Sequence, residues 1–448
     1  MKESNSNIKY LSEEPIKKSI IKLSIPMMIG MSVGSIYNII NAYFIGLIND
    51  TAMISAITLG LPIFTILMAF GNMFGVGGGT FITRLIAKDE LIKAKKVAGY
   101  VFYGSIIFGG IMGLVCIIGI DPIINLLGAD SLAETYTKEY AITLLAGGFT
   151  MVLNFCLEQI VRSEGASKES MYGMFISVLV SIVLDILFIL ILDMHIYGVA
   201  LSMIIANLVS SIYYGWWLNN KSENLQGFLY NFKISIKDQF EIYKIGSSEL
   251  IQCGFLIVTT LLLNNYAIQY GDNVVASFGI ALRIVQLPEF FTMGIVLGVM
   301  PIIAYNFSNK NINRLKETIK YSISFIVLII VIFVGVSFLF RNQIIQLFSS
   351  DPLVIKVGAY ILVAMLISAL FNGITSLFMT VYQSSGEGFA TGVMAISQGC
   401  LFIPMVIILH HIYGFNGLVW AMTITEIITF LIGVILYIPY RKRLSREN

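Results

Sequence analysis

One carboxylate lies in the middle of an apolar stretch, where charged side chains are rare. Asp185 follows Ser181-Ile-Val-Leu and precedes Ile-Leu-Phe-Ile-Leu190. A carboxylate in such surroundings is costly unless it is protonated, paired or facing a polar cavity, and acids inside membrane segments usually mark ion or substrate pathways. We therefore predict that Asp185 is an ion-coupling residue, with Ser181 and Asn154 completing its site.

Glu158 and Arg162 stand one helical turn apart, and their spacing supports two interpretations. The i, i+4 spacing suits an ion pair on a helix surface. A carboxylate one turn deeper than the arginine also suits a polar cavity that binds a cationic substrate. The asparagines predicted to line that cavity are Asn38, Asn41 and Asn207.

Three more charged residues fall within apolar stretches of the second half of the chain. Glu426 has no basic partner nearby in the sequence, so it is a candidate second carboxylate. Arg283 and Glu289 are six residues apart on one predicted helix and do not face each other. Two roles stay open for these residues: each pairs with another helix and organises the second half of the fold, or each takes part in transport.

The composition indicates the class of protein in which these charged residues occur. Hydrophobic residues make up 57% of the 448 residues, charged residues only 12%, and the mean hydropathy is +0.85. Soluble domains carry about 25% charged residues, so a soluble protein is excluded. The apolar runs are continuous and long enough to cross a bilayer as helices, which argues against a membrane barrel. The sequence predicts an all-α integral membrane protein.

Twelve membrane-spanning helices are predicted from the apolar runs. The longest polar interruption, residues 219–241, is the predicted cytoplasmic linker between an N-terminal six-helix lobe (1–218) and a C-terminal six-helix lobe (242–448). The predicted spans lie near 20–47, 53–83, 97–120, 134–161, 170–192, 197–218, 242–269, 276–305, 319–340, 354–382, 390–411 and 414–439.

Lysine and arginine are concentrated in alternate inter-span segments. If the N-terminus is cytoplasmic, the cytoplasmic segments hold 24 of these residues and the outer segments hold 3. Because cytoplasmic loops carry an excess of positive side chains, the imbalance predicts a multi-pass protein of the cell membrane with both termini in the cytoplasm.

The two halves of the chain resemble each other. The segment Asp121–Asp130 echoes Asn342–Asp351 at an offset of 221 residues, and Ile196-Tyr-Gly198 echoes Ile412-Tyr-Gly414 at an offset of 216. Six spans per repeat give both lobes the same orientation, which predicts a pseudo-two-fold axis along the membrane normal. Two such lobes rocking about a shared site are typical of alternating access.

Several motifs resemble the multidrug and toxin extrusion (MATE) family. Lys22-Leu-Ser-Ile-Pro26, followed by Tyr37-Asn-Ile-Ile-Asn41-Ala-Tyr-Phe-Ile-Gly46, is similar to the family's first span. Arg283-Ile-Val-Gln-Leu-Pro-Glu289 resembles its eighth span, and Leu157-Glu-Gln-Ile-Val-Arg162 resembles the MepA-like branch of multidrug exporters. The likeness extends over residues 15–440, in both lobes.

This resemblance implies efflux of amphiphilic, mostly cationic drugs driven by inward flow of protons or sodium ions. It places Asp185 at the family's ion-coupling aspartate and Glu158 at an acid of the fourth span. The chain departs from the family at Asn41, which replaces an aspartate, at Ser181, which replaces an asparagine, and at Met203, which replaces a threonine. Because these changes remove charge or oxygen ligands that sodium needs, we expect proton coupling, with sodium as the alternative.

Two other functions compete with drug export. A lipid-linked saccharide flippase shares the two-lobe plan, but it would need several basic residues in its cavity for lipid phosphates, and only Arg283 lies deep in a span. A membrane-embedded enzyme would need paired acids, a His cluster or a nucleophile–base pair, and the sequence has no such motif. We expect a monomeric transporter without a cofactor, whose partners are cationic drugs and the lipid bilayer and not nucleic acid.

Overall fold

The computed structural model describes residues 7–47, 50–127 and 133–446. Sixteen α-helices are found in these ranges, and no strand is found there. The helices are α1 (Asn7–Ser12), α2 (Ile16–Leu47), α3 (Thr51–Ala87), α4 (Leu91–Ile118), α5 (Ile120–Leu127), α6 (Glu134–Ala146), α7 (Gly148–Ser163), α8 (Ser167–Asp185), α9 (His195–Asn220), α10 (Ile236–Ile268), α11 (Asp272–Ser308), α12 (Ile312–Leu339), α13 (Arg341–Gln346), α14 (Pro352–Ser385), α15 (Gly388–Tyr413) and α16 (Phe415–Arg446).

The number of membrane-spanning helices agrees with the sequence prediction. Within the described residues, eleven helices are long and apolar enough to cross a bilayer. The pair α6 and α7, which bends by 52° at Gly147, gives a twelfth when the two helices are counted as one span. The predicted all-α membrane fold is therefore confirmed, and the predicted fourth span is a broken helix.

The chain forms two compact units. Unit 1 comprises residues 7–13 and Ile29–Leu250, and unit 2 comprises Glu14–Met28 and 251–446. The long helices α2 and α10 therefore each contribute one part to either unit. This grouping by contacts differs from the lobe boundaries at 218 and 242, which describe the repeat in the sequence and stay a prediction.

Glycine allows helices to approach closely in both units. In unit 1, a Cβ atom on Gly77 of α3 would lie 2.2 Å from the carbonyl oxygen of Ile242 on α10. In unit 2, a Cβ atom on Gly298 of α11 would lie 2.6 Å from the Oγ of Ser24 on α2. Small residues at such crossings let membrane helices gain van der Waals contact where the hydrophobic effect between helices is weak.

The segment between α9 and α10 packs against unit 1. Leu225 and Phe228 are fully buried, and the hydroxyl of Tyr103 on α4 donates a hydrogen bond to the carbonyl of Leu229 at 3.1 Å. Helix α9 extends to Asn220 and α10 begins at Ile236, so the segment between them covers residues 221–235. This segment is shorter than the polar interruption of residues 219–241 in the sequence.

Candidate functional site

Asp185 lies at a break in regular helical geometry. It is the last residue of α8, and the next six residues, Ile186–Ile191, form a π-helix. π-helical turns are rare and are often found at functional sites, because the extra residue redirects side chains and backbone groups. The side chain of Asp185 is 0% exposed. A fully buried carboxylate at such a position requires either polar partners or a proton.

Three neutral groups donate hydrogen bonds to the carboxylate. Ser202 of α9 donates to Oδ1 of Asp185. On the other side, the hydroxyl of Tyr37 and the Nδ2 of Asn41 each lie 3.4 Å from Oδ2. Both oxygens of Asp185 are thus hydrogen-bonded, and among the described residues none of the partners is a cation.

Tyr37 and Asn41 reach Asp185 together because they stand one helical turn apart on α2. Side chains at i and i+4 lie on the same face of a helix, and Nδ2 of Asn41 also donates to the Tyr37 hydroxyl at 3.1 Å. Ser181, one turn before Asp185, hydrogen-bonds to Tyr37 and supports the same network. The site therefore joins α2, α8 and α9 within unit 1.

Asn154 takes a different position from the one predicted. Its Nδ2 donates to Oδ1 of Asn207 at 2.9 Å, and Asn207 in turn donates to the backbone carbonyl of Met203 at 2.7 Å. The two amides join α7 to α9, and neither is hydrogen-bonded to Asp185. The hydroxyl of Tyr140 donates a weak hydrogen bond to the sulfur of Met203, and the oxygen and sulfur atoms lie 3.7 Å apart.

Glu158 forms an ion pair with Arg162. The Nη1 of Arg162 lies 2.6 Å from Oε1 of Glu158, and both side chains are buried. The hydroxyl-bearing ring of Tyr214 lies close enough to interact electrostatically with both charges. The structure thus contains the ion pair that the i, i+4 spacing suggests. The pair is buried and does not lie on a helix surface.

The remaining predicted cavity residues lie apart from one another. Asn41 belongs to the Asp185 network, and Asn207 belongs to the amide pair with Asn154. Asn38 lies on α2, and its side chain falls outside the described part of the structure.

Unit 2 contains a second buried carboxylate. Glu426 of α16 is 3% exposed, and its Oε1 accepts hydrogen bonds from Nε2 of Gln398 at 2.7 Å and from Nδ2 of Asn372 at 3.5 Å. Glu289 of α11 lies close enough for the two carboxylates to interact electrostatically. Arg283 is exposed, and the ion pair predicted for it is not found among the described residues.

Sequence reasoning missed two partners of Asp185. Tyr37 belongs to a quoted motif but carries no sign of a role, and Ser202 is one of many hydroxyl residues in the spans. Within the described ranges, no group of three or more His, Cys, Asp or Glu side chains is arranged to hold a metal ion.

Comparison with known proteins places this geometry in a family. Residues 26–187 and again residues 247–408 match the MatE family model. The two matches begin 221 residues apart, which agrees with the internal repeat found in the sequence.

The curated relatives are alike over nearly their whole length. The multidrug export protein MepA of Staphylococcus haemolyticus (strain JCSC1435) is 38% identical over 98% of this chain and 97% of its own. MepA of Staphylococcus aureus (strain NCTC 8325 / PS 47) is 36% identical with the same coverage of both chains.

Solved structures give the same result for the fold. The outward-facing structure of a MATE family multidrug resistance transporter of the MOP superfamily has a TM-score of 0.90 and 26% identity, covering 99% of this chain and 98% of its own. A MATE protein in complex with MaD3S has a TM-score of 0.90 and 26% identity over 98% of each chain. With the family model matched in both halves of the sequence, the chain belongs to the MatE family of multidrug and toxin extrusion transporters.

Proposed function

We propose that this protein exports amphiphilic organic cations across the cell membrane in exchange for protons, by alternating access. The observation that carries the proposal is the fully buried carboxylate of Asp185, which is held by neutral donors with no cationic partner among the described residues. The curated relatives are named multidrug export proteins, which supports export as the direction of transport.

Antiport follows from competition for one negative charge. A carboxylate buried in a membrane protein is stabilised when a proton or a cation neutralises it. When Asp185 holds a proton, a cationic substrate loses the charge that attracts it; when the proton leaves, the charge returns. Binding of the two partners is then mutually exclusive, and the downhill entry of one drives the exit of the other.

Protons suit this site better than sodium ions. The hydroxyls of Ser202 and Tyr37 and the amide of Asn41 direct O–H and N–H groups at the carboxylate. A sodium ion requires several oxygen lone pairs at once, and the Asn41 amide, which presents its Nδ2 to Asp185, would have to turn over to supply one. A proton on one carboxylate oxygen requires only that one donor becomes an acceptor, which a hydroxyl does by rotation.

The membrane orientation completes the proposal. The excess of Lys and Arg in alternate segments supports cytoplasmic termini, so protons would enter from the outside. One charge moving through about 100 mV releases about 2.3 kcal/mol, and a pH gradient adds to this driving force. We propose that the protein works as a monomer, since the hydrogen bonds of Asp185 lie within unit 1 and those of Glu426 lie within unit 2.

The test uses everted membrane vesicles, whose outer surface is the cytoplasmic face of the membrane, with a fluorescent organic cation such as ethidium added outside. Transport is started by an imposed pH gradient at zero sodium, and separately by a sodium gradient with a protonophore present. We expect transport with the pH gradient and no transport with the sodium gradient. Transport that survives the protonophore but stops without sodium would reassign the coupling ion, and transport of neutral compounds only would overturn the substrate class.

A further inference from the structure

The turn between α3 and α4 and the segment that leads into α10 border a cavity on the surface of unit 1. Its volume is about 620 Å³, and it is lined by the first turns of α4 and α10. It lies at the ends of two membrane-spanning helices and shares no residue with the Asp185 network. The charged residues that line it are Lys93, Lys96, Lys233, Asp89, Glu90 and Asp238.

The two chain segments around the cavity carry a net positive charge. Residues 88–96 and 233–238 hold six lysines against three acids. Two of these acids, Asp89 and Glu90, are exposed to solvent, so their charge is screened by salt. Clusters of lysine and arginine next to a membrane-spanning helix are typical of sites that bind anionic lipids.

Inside the cavity, one of the three lysines is paired and two are not. Nζ of Lys93 lies 2.7 Å from Oδ1 of Asp238, whose other oxygen accepts a hydrogen bond from the hydroxyl of Ser235 at 2.7 Å. Both oxygens of Asp238 are therefore satisfied. Lys96 and Lys233 form no ion pair among the described residues, so their ammonium groups are available to a phosphate.

The backbone at the start of α4 also favours an anion. Glu90 is the N-cap residue of α4, and its side chain makes no capping hydrogen bond. The N–H groups of the first turn thus lack a side-chain acceptor at the positive end of the helix dipole. Helix α12 of unit 2 differs, because Asn311 caps it by accepting from the backbone N–H of Arg314 at 3.2 Å. A phosphate in the cavity would give α4 the acceptor that α12 takes from its own chain.

Large apolar side chains are exposed beside these lysines. Tyr230, Ile236 and Phe240 are 82%, 84% and 66% exposed. The chain is closely packed here, since a Cβ atom on Gly99 of α4 would lie 2.6 Å from the carbonyl oxygen of Asn231. Exposed apolar side chains on a fixed backbone are unfavourable in water and are stabilised when they enter the interface of a bilayer.

The length of α10 places this apolar patch at the membrane surface. The helix Ile236–Ile268 has 33 residues, whereas about 20 helical residues cross the hydrocarbon core. Four of its five charged residues lie within its first nine residues, so the excess length is at this end. Ile236 and Phe240 therefore fall near the lipid headgroups, and the lysines of the cavity lie at the depth of the lipid phosphates.

We propose that this cavity binds the headgroup phosphate of one anionic phospholipid. Lys96 and Lys233 are its charged partners, and Tyr230, Ile236 and Phe240 contact the lipid above the headgroup. The bound lipid holds the segment between α9 and α10 at the membrane surface. Binding does not depend on which ion drives transport, and only its placement in the cytoplasmic leaflet rests on the proposed membrane orientation.

Native mass spectrometry of the purified full-length protein, released from detergent micelles, tests the proposal. The protein is titrated separately with dioleoyl-phosphatidylglycerol, which is anionic, and with dioleoyl-phosphatidylcholine, which has no net charge. We expect wild type to retain one phosphatidylglycerol in preference to phosphatidylcholine. Lys96→Gln combined with Lys233→Gln should lower this preference by about tenfold or more, since each lysine near a lipid surface strengthens binding several-fold.

The matched control is Lys316→Gln combined with Lys320→Gln, which removes the same charge from α12 of unit 2. The control should keep the wild-type preference. A second variant, Tyr230→Ser combined with Phe240→Ser, should weaken retention of both lipids and leave the preference for phosphatidylglycerol in place, because it removes apolar contact and no charge.

Three results would overturn the proposal. The first is a wild-type preference in the lysine variant, shown to be folded by gel filtration, or an equal loss in the control. The second is displacement of the lipid by an equal concentration of glycerophosphoglycerol, the headgroup without acyl chains, which would assign the cavity to a soluble phosphate ester. The third is a wild-type dimer that the lysine variant dissociates, which would assign this face to a second copy of the chain. If the double lysine variant does not fold, Lys233→Gln alone decides by the same measure.

Discussion

The two units hold their buried carboxylates in different ways. In unit 1, Asp185 sits on the fifth span and receives donors from the first and sixth spans through Tyr37, Asn41 and Ser202. In unit 2, Glu426 sits on the twelfth span and receives amide donors from the tenth and eleventh spans through Asn372 and Gln398. The same six-helix plan thus carries its acid on different helices.

The comparison also shows what the repeat keeps and what it changes. The fourth and sixth spans of unit 1 are joined by the amide pair Asn154–Asn207, and the tenth and twelfth spans of unit 2 are joined by Asn372 and Glu426. The amide–amide pair Asn154–Asn207 of unit 1 and the amide–carboxylate pair Asn372–Glu426 of unit 2 join equivalent spans of the two halves. Donors reach both oxygens of Asp185 but only one oxygen of Glu426, so the two acids should respond differently to the same substitution.

Replacing the acid in unit 1 should have the largest effect. Asp185→Asn removes the only ionisable group of that network other than Tyr37 while keeping its size. We expect proton-driven efflux of ethidium to fall to the level of vesicles without the protein, a loss of about tenfold or more, since a coupling acid has no substitute in an apolar span. The measurement is the initial rate in everted vesicles at matched protein level.

The control for this variant is Asp193→Asn, which makes the same change at an exposed residue just beyond the π-helix. Asn tolerates the positive φ of 51° at this position, so the control should transport like wild type. Drug resistance at the wild-type level in cells that express Asp185→Asn normally would contradict the assignment of Asp185.

Breaking the ion pair of unit 1 should have the next largest effect. Glu158→Gln leaves Arg162 as a buried charge without its carboxylate, which costs about 3–5 kcal/mol in comparable pairs. We expect a clear drop in melting temperature for Glu158→Gln. The double variant Glu158→Leu with Arg162→Met should recover most of the loss, because replacing a whole buried pair by apolar residues is often neutral.

The same variants decide between the two interpretations of Glu158. A substrate role, as predicted from the sequence, requires transport of cationic compounds to fall more than that of neutral ones in Glu158→Gln. Equal loss for both classes, together with recovery in the double variant, would assign Glu158 to the ion pair with Arg162 alone.

Removing single donors from Asp185 sharpens the comparison further. Ser202→Ala and Tyr37→Phe each delete one hydrogen bond to the carboxylate, and a bond to a charged group contributes about 1.5–3 kcal/mol. Each change should make the proton harder to release and move substrate-induced proton release upward by about one to two pH units. A pH-indicator dye with the purified protein measures it.

Ser181→Ala is the matched control for the donor variants. Ser181 hydrogen-bonds to Tyr37 and has no bond to the carboxylate within the described structure, so its removal should shift proton release less than Ser202→Ala does. An equal shift in the two serine variants would show that the carboxylate responds to the whole network and not to its direct donors.

Much of the fold could be predicted from the sequence because the bilayer imposes simple rules. A span must be long and apolar, so twelve spans and the linker are visible as runs, and an acid such as Asp185 stands out against them. The break at Gly147 was not predicted, because glycine is common within membrane helices. The assignment of residues 14–28 to unit 2 depends on long-range packing, which no local pattern encodes.

The details of the site were harder to predict for physical reasons. A serine in a span usually bonds to its own helix backbone, as Ser211 does with Asn207, so the partner role of Ser202 has no distinct signal. The π-helix after Asp185 falls in a uniformly apolar segment, where no change in periodicity reveals it. Asn154 was predicted beside Asp185, but it bonds across to Asn207.

The smallest expected effect concerns Glu164, a buried carboxylate outside the membrane spans. Glu164, just after α7, is buried, its Oε1 accepts from the hydroxyl of Ser222 at 2.7 Å, and its Oε2 has no hydrogen bond among the described residues. Burial raises the pKa of Glu164 to about 7 from an ordinary value of 4.5. Below about pH 7 it should therefore hold a proton when folded, which links its titration to stability.

The sign of this linkage follows from the raised pKa. Folding binds a proton to Glu164, so its contribution to stability is fully present below pH 4.5 and is lost as the pH rises through about 7, a change on the order of 3 kcal/mol. The melting temperature of wild type should therefore fall between pH 5 and pH 8 relative to Glu164→Gln, whose amide does not titrate. Glu223→Gln removes a neighbouring exposed charge that is the smallest of the contributions to the raised pKa of Glu164, so it should change the pH dependence much less than Glu164→Gln does. Melting temperatures of wild type and Glu164→Gln that run parallel across this pH range would show that Glu164 is ionised in the folded protein.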